Sequence, residues 1–144
     1  KAVVNRKIKF REPFRPFAPS MLDRRVREFV EYPEGKSLSP ATFMLAVSPI
    51  KPQQREVIPA VTHVDGTGRL QVVERATNPL YYGLIEAFEA ETGVPVVLNT
   101  SFNLKGEPMV NSPDDAISTF LRSEMDALVM GRHVVTKSSG GRTS

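Results

Sequence analysis

The sequence has no cysteine, no tryptophan and only two histidines among its 144 residues. The absence of thiols excludes disulfides, cysteine nucleophiles and metal sites built on cysteine. No apolar run approaches the roughly 20 residues that a membrane-spanning helix requires, so no membrane partner is expected. The hydrophobic fraction of 40% and the charged fraction of 24% are typical of a globular protein, and with the length they predict one domain, expected in the cytoplasm.

Positive charge is concentrated at the beginning of the chain. Glu12 is the only acid before Asp23, whereas residues 1–15 contain six cations: Lys1, Arg6, Lys7, Lys9, Arg11 and Arg15. Because the net charge of the whole chain is only +3, the remaining residues are slightly acidic on balance. A basic segment of this kind predicts an anionic partner.

Three prolines stiffen residues 12–20. Proline fixes φ and lacks an N–H, so this segment is expected to be an extended loop, neither helix nor central strand, held in place by Phe14 and Phe17. Extended backbone here and just upstream would turn Lys9, Arg11 and Arg15 toward one face and create an anion site. The alternative is a solvated edge strand whose cations deter aggregation.

A glycine-containing turn follows at residues 63–69. His63 and Asp65 would share a strand face as a possible metal pair, but two ligands are too few, and a hairpin turn with a hydrogen-bonded histidine is favoured. The glycines let backbone N–H groups approach an anion, and Arg69 adds a charge at the mouth of the turn. Neither a Walker loop nor a dinucleotide fingerprint is present.

The polar run after the apolar stretch at 94–98 is the third candidate. In open α/β sheets, ligands bind beyond the carboxyl ends of the strands. The four hydrogen-bonding side chains that follow are suited to phosphate, ribose or base recognition: Asn99, Thr100, Ser101 and Asn103. The alternative is a polar turn that only ends the strand.

Periodicity and capping residues predict an α/β fold of mixed strand order. Helices are expected at 22–29, from Asn78 to Gly93 and from Ser112 onward. Residues 138–144 are expected to form a flexible tail after a domain spanning 1–137. Strands are expected at 43–47, 57–64, 70–74 (antiparallel to the preceding strand), 94–98, 127–130 and 133–136.

Three segments, in this order, resemble the C-terminal domain of the O-carbamoyltransferases that act in nodulation and antibiotic biosynthesis. They are KFREPFRPFAPS at 9–20, THVDGTGRLQ at 62–71 and LNTSFNLKGEP at 98–108. The resemblance covers nearly the whole chain, from residue 5 to 137. It implies a YrdC-like fold, an open twisted mixed sheet with flanking helices.

The resemblance also implies an activity. This domain would use ATP with Mg²⁺ to convert carbamoyl phosphate into carbamoyl-adenylate. A separate N-terminal domain with its own metal ion, expected to be iron, would then transfer the carbamoyl group to a substrate hydroxyl. The residues whose positions match ligands of carbamoyl phosphate and ATP are Lys9, Arg15, Arg69, Asn99 and Ser101.

The chain departs from this family in what it lacks. It contains neither the metal-binding domain nor a Gly-x-Arg-Ala-Leu-Gly-like motif that supplies a further arginine, so it is expected to be a fragment whose complete activity needs those parts. Two other functions stay open, an RNA-binding module and a non-catalytic docking domain. Phe10, Phe14 and Phe17 could stack on bases, but the prolines favour buried anchors and argue against nucleic acid.

Overall fold

The computed structural model describes residues 1–10, 12 and 14–137. Arg11, one of the predicted anion ligands, and the tail predicted at 138–144 lie outside the described residues. The chain divides into two compact units. The first comprises Lys1 and residues 16–100, and the second comprises residues 2–15 and those from Ser101 onward.

The first unit contains most of the secondary structure. Its elements in chain order are β1 (Ala18–Leu22), a 3₁₀ turn (Asp23–Arg25), α1 (Val26–Phe29), α2 (Ser39–Thr42), β2 (Val47–Pro49), a second 3₁₀ turn (Pro52–Gln54), β3 (Thr67–Arg69), β4 (Gln71–Val73), α3 (Pro79–Thr92) and β5 (Val96–Asn99). Strand β1 lies between β4, which runs parallel to it, and β5, which runs antiparallel. A mixed sheet with flanking helices confirms the predicted α/β class.

The central position of β1 corrects the prediction that residues 12–20 contain no central strand. Pro19 lies opposite Leu98 of β5, whereas the pairing of β1 with β4 begins only at Ser20. At Pro19 the strand therefore has a neighbour on one side only, where a missing N–H is tolerated. Phe17 is buried as expected, but Phe14 is 72% exposed and does not anchor the segment.

Helix α3 begins and ends where the capping residues predict. The backbone N–H of Tyr81 donates to Oδ1 of Asn78, at 3.2 Å, and Pro79 occupies the first turn. Gly93 ends the helix with a φ of +75°, a conformation that glycine adopts without strain.

The buried face of α3 agrees only in part with the sequence, in which Leu80, Tyr81, Leu84, Ile85 and Phe88 recur at helical spacing and predict a buried face. Ile85 of this set packs with Tyr82 against β1 and β4, whereas Leu80, Leu84 and Phe88 are 80%, 55% and 41% exposed. Apolar side chains surround most of the first two turns of this helix, so spacing alone does not select the face that packs on the sheet.

The strand predicted at residues 43–47 is wrong. The chain turns after α2, and β2 begins only at Val47. Met44 has a positive φ of 59°, which is incompatible with a strand. Phe43 and Leu45 are 70% and 78% exposed. A short apolar run does not by itself distinguish a strand from a turn beside a helix.

Other predicted elements are displaced. Residues 57–64 form turns instead of a strand, so β4 has no antiparallel partner there and pairs in parallel with β1. Residues 22–29 leave β1 through a 3₁₀ turn and become α-helical only at Val26. Short elements of this kind are fixed by their partners in space more than by local spacing.

The second unit packs a helix on a hairpin. Its elements are a π-helical turn (Val4–Ile8), α4 (Pro113–Leu121), β6 (Ala127–Met130) and β7 (His133–Thr136). Ala116 and Phe120 of α4 pack with Leu128 of β6. Ser112 caps α4 by accepting from the N–H of Asp115, at 3.1 Å. The predicted helix start and both predicted strands are confirmed. Within the described ranges, no helix is both long enough and apolar enough to cross a membrane.

Candidate anion-binding site

Lys9 is the buried centre of a polar cluster in the second unit. It directly follows the π-helical turn, and its N–H donates to the carbonyl of Val4, at 2.8 Å. Its ammonium group donates to Oδ1 and the carbonyl of Asn103, at 2.6 and 3.0 Å, and to Oγ of Ser101, at 3.2 Å. It also contacts the carbonyl of Ser101. With only 4% of Lys9 exposed, this ammonium fixes the loop at 101–103 to the N-terminal segment.

The loop is further ordered by its own side chains. The hydroxyl of Ser101 donates to Oδ1 of Asn103, at 2.8 Å, and Nδ2 of Asn103 donates to the carbonyl of Glu107, at 2.8 Å. The amide of Asn103 is therefore held with its oxygen toward Lys9 and Ser101. Hydrogen bonds of this kind preorganise a loop for ligand binding.

A pocket of about 190 Å³ lies beside this cluster. It brings together four of the predicted site residues and three that were not predicted, and its lining consists of Lys9, Arg15, Ser101, Asn103, Leu104, Lys105 and Gly106. Three cations in one small pocket, next to hydroxyl and amide groups, suit a phosphate-bearing anion.

Asn5 forms a hydrogen bond to Arg15, one of the residues that line the pocket. It is fully buried, and its Nδ2 donates to the carbonyl of Arg15, at 3.2 Å. This bond holds the backbone from which the Arg15 guanidinium extends. The sequence does not predict this role of Asn5, because an isolated asparagine in a basic segment gives no pattern that distinguishes it from a surface residue.

Asn99 ends β5 in the first unit and belongs to a second polar cluster. Its Nδ2 donates to Oε1 of Gln71, at 2.6 Å, and the hydroxyl of Ser20 donates to the same oxygen, at 2.5 Å. Gln71 therefore fixes the orientation of the Asn99 amide and turns its Oδ1 away from Gln71. Gln71 was not among the predicted site residues, although a polar residue between Leu70 and Val72 in an apolar strand indicates a buried polar contact.

The remaining predicted residues of the first unit are less engaged. Arg69 ends β3 opposite Val47 and is exposed, and Thr100 is half-buried after β5. Nδ1 of His63 lies 3.1 Å from the hydroxyl of Thr67.

The turn that contains His63 has hydrogen bonds of its own. Asp65 accepts from the N–H and the hydroxyl of Thr67, at 3.0 and 2.8 Å. Both bonds lower the pKa of Asp65, and the bond from the backbone N–H has the larger effect. The geometry is that of the hydrogen-bonded turn favoured over a metal pair.

The predicted residues thus divide between the units. Lys9, Arg15, Ser101 and Asn103 belong to the second unit, and four others belong to the first: His63, Arg69, Asn99 and Thr100. Across the described part of the chain, no group of three or more histidine, aspartate or glutamate side chains is placed to hold a metal ion.

Comparison with known proteins identifies relatives along nearly the whole chain. Nodulation protein NolNO of Sinorhizobium fredii is 47% identical over 134 residues, which are 93% of this chain and 19% of that protein. Nodulation protein NolO of Bradyrhizobium diazoefficiens is 48% identical over 134 residues, or 93% of this chain and 24% of that protein. Nodulation protein U of Rhizobium tropici is 37% identical over 99 residues, or 69% and 16% of the two chains.

The chain therefore spans about a fifth to a quarter of the first two relatives. A family model described as "Carbamoyltransferase C-terminus" matches residues 1–137. This match covers the three segments at 9–20, 62–71 and 98–108 on which the resemblance was based. The chain belongs to the carbamoyltransferase C-terminus family.

Proposed function

We propose that this chain is the part of a carbamoyltransferase that binds carbamoyl phosphate and ATP and forms carbamoyl-adenylate. The observation that carries the proposal is the pocket in which Lys9 and Arg15 meet the hydrogen-bonding loop of Ser101 and Asn103. Family membership supports the carbamoyltransferase role, and the charge and size of the pocket support a phosphate-bearing ligand.

The chemistry requires charge stabilisation more than proton transfer. Water releases phosphate from carbamoyl phosphate, and an oxygen of the resulting carbamate attacks the α-phosphorus of ATP while pyrophosphate leaves. The protons of the attacking water leave with the phosphate, and the carbamate that then attacks ATP is already ionised, so this second step needs no general base. Fixed cations and oriented donors stabilise the charge on the phosphoryl oxygens. Mg²⁺ would accompany the ATP phosphates.

Each predicted site residue that the structure describes has a role in this reaction. Arg15 offers a planar fork to the phosphate of carbamoyl phosphate, and Lys9 holds Ser101 and Asn103 in place while adding positive charge. In the first unit, Arg69 contributes a cation toward the ATP phosphates. The amide oxygen of Asn99 accepts a hydrogen bond from a ribose hydroxyl or a base amino group, and Thr100 and His63 are further polar groups. The second half-reaction, transfer of the carbamoyl group to a hydroxyl, belongs to a separate N-terminal domain with its own iron. We expect both half-reactions to take place in the cytoplasm.

Exchange of labelled pyrophosphate into ATP, dependent on carbamoyl phosphate, tests the proposal in the full-length protein. Arg15→Ala should lower the exchange rate about 10- to 100-fold, because charge-assisted hydrogen bonds contribute about 1.5–3 kcal/mol. Lys7→Ala is the matched control, since Lys7 pairs with Glu124 outside the pocket, and it should exchange normally.

A second variant also changes a residue of the first unit, Arg69. The double substitution Lys9→Ala with Arg69→Ala should abolish exchange, and wild-type exchange in either this variant or Arg15→Ala would contradict the proposal. Circular dichroism shows whether each variant is folded. A folded Arg15→Ala protein without exchange also argues against a purely docking role.

RNA binding is a second candidate, and one observation favours it. Phe10 and Phe14 are 47% and 72% exposed beside the basic segment, contrary to the expectation that they are buried anchors. Exposed aromatic rings among cations stack on unpaired bases in single-strand binding proteins. A single-stranded oligonucleotide titration over a range of salt concentrations tests it. Affinity that falls steeply with salt supports RNA binding, and a flat response dismisses it.

A further inference from the structure

A carboxylate outside the pocket lining pairs with two of the cations that line the pocket of the second unit. Nζ of Lys105 lies 3.7 Å from Oε1 of Glu12, and a terminal nitrogen of Arg15 lies 3.9 Å from Oε2 of the same side chain. Lys105 and Arg15 both line the pocket. One carboxylate therefore spans two pocket cations that come from distant parts of the sequence.

Glu12 is held loosely in this position. Both distances exceed those of a normal hydrogen bond. About half or more of each side chain is exposed, with values of 46% for Glu12, 54% for Arg15 and 65% for Lys105. Exposed ion pairs of this geometry contribute little to stability, so an incoming anion can replace the carboxylate at small cost.

The carboxyl group of Glu12 is ionised at neutral pH. A hydrogen bond from its own backbone N–H, followed by the positive charge of Lys105, lowers the pKa of its carboxyl group. At neutral pH the side chain is therefore an anion beside the cations of an anion pocket. A phosphate group in the pocket would form shorter, charge-assisted hydrogen bonds to the same cations.

We propose that Lys105 is a further anion ligand of this pocket, and that Glu12 is an internal counterion which the phosphate group of the ligand displaces. The identity of that ligand as carbamoyl phosphate rests on the proposed function, whereas the displacement applies to any phosphate monoester or inorganic phosphate. Glu12 thus lowers affinity while keeping Arg15 and Lys105 from repelling each other in the free protein.

Two substitutions with opposite effects test this inference. Calorimetric titration with inorganic phosphate and with carbamoyl phosphate, at constant ionic strength, gives the affinities. Glu12→Gln should tighten binding roughly three- to tenfold, because the competing charge is removed. Lys105→Ala should weaken it by a similar factor, and Lys105→Arg should stay close to the wild type.

A second ion pair of the same unit provides matched controls. Nζ of Lys7 lies 3.3 Å from Glu124, with both side chains more than half exposed. Unlike the partners of Glu12, Lys7 does not line the pocket. Lys7→Ala and Glu124→Gln repeat the two charge changes, and both should leave the affinity within about twofold of the wild type.

The outcomes separate this inference from the proposed function. Equal affinities in Glu12→Gln, Lys105→Ala and the wild type would overturn the inference, and so would weaker binding in Glu12→Gln. If pyrophosphate exchange depends on Arg15 but substitution of Lys105 or Glu12 does not change the phosphate affinity, the function stands and the inference fails. If phosphate affinity responds as expected without any exchange activity, the inference stands and the function fails.

Discussion

Lys9 illustrates what a sequence reveals about a single residue. Its place in a basic segment predicted an anion site, and the structure places it in the lining of a cationic pocket. The sequence did not predict that the ammonium is buried and bonded to Ser101 and Asn103. Those partners lie more than 90 positions away along the chain, and no local pattern records such a contact.

Replacing Lys9 should cost stability as well as activity. Lys9→Met removes the donor that satisfies oxygens of Ser101 and Asn103, and lost buried hydrogen bonds to a charged group cost about 1–3 kcal/mol. Urea denaturation measures the change in the free energy of unfolding. Lys7→Met, at an exposed position, should change it by less than about 0.5 kcal/mol. Equal free energies of unfolding for the two variants would show that the hydrogen bonds of Lys9 do not stabilise the fold.

Gln71 and Ser20 should behave as a coupled pair. Gln71→Leu leaves the buried hydroxyl of Ser20 without its acceptor and frees the amide of Asn99 to rotate. A double-mutant cycle with Ser20→Ala should therefore give a coupling energy of about 0.5–3 kcal/mol in urea denaturation. Additive effects would mean that the shared oxygen does not link these side chains.

Helix α3 shows what is predictable for an element. Its ends follow from Asn78, Pro79 and Gly93, because capping depends on residues next to one another in the chain. Its buried face depends on the sheet it packs against, and the sequence does not specify that partner. The same limit explains β1, where Pro19 suggested a loop and the register with β4 permits a strand.

Substitutions on the two faces of α3 should differ sharply. Ile85 is fully buried, and Ile85→Ala should cost about 2–5 kcal/mol of unfolding free energy through the cavity it leaves. Leu80 is 80% exposed, so Leu80→Ala should cost less than about 0.5 kcal/mol. Thermal or urea denaturation of both variants decides whether the observed face is correct.

At the scale of the whole molecule, the division into two units was not predictable. The sequence predicted one domain over residues 1–137, and that boundary stays a prediction. The second unit is discontinuous, since residues 2–15 join those from Ser101 onward. The basic segment ends at the first junction. That change in charge does not show which distant residues the segment joins, so only contacts between remote segments define the unit.

Acid should destabilise the protein. Glu12, Asp65, Glu107 and Asp115 have pKa values below the ordinary 4.5 for glutamate and 3.8 for aspartate. A carboxyl group whose pKa is lower in the folded state stabilises that state above its unfolded pKa and loses the contribution as the pH falls. The urea midpoint should therefore fall from pH 5 toward pH 2–3.

The causes of these shifts provide a control. A hydrogen bond from Arg122 lowers the pKa of Glu107, whereas hydrogen bonds to Ser112 and the N–H of Asn111 lower that of Asp115. Salt should therefore reduce the acid sensitivity due to Glu107 more than that due to Asp115. An Asp115→Asn protein with unchanged pH dependence would contradict the assignment.

Pro19 also acts as a stop that sets the alignment of the sheet. If β1 slipped along β4 so that Pro19 entered the parallel pairing, its ring nitrogen could not donate to the ladder. Every residue of β1 is buried, so a slip by one residue would also exchange the side chains that pack on its two faces. Pro19, which argued against a strand in the sequence, thus favours the register in which Ser20 pairs with Gln71. In this register the side chain of Gln71 can accept from the amide of Asn99 at the end of β5.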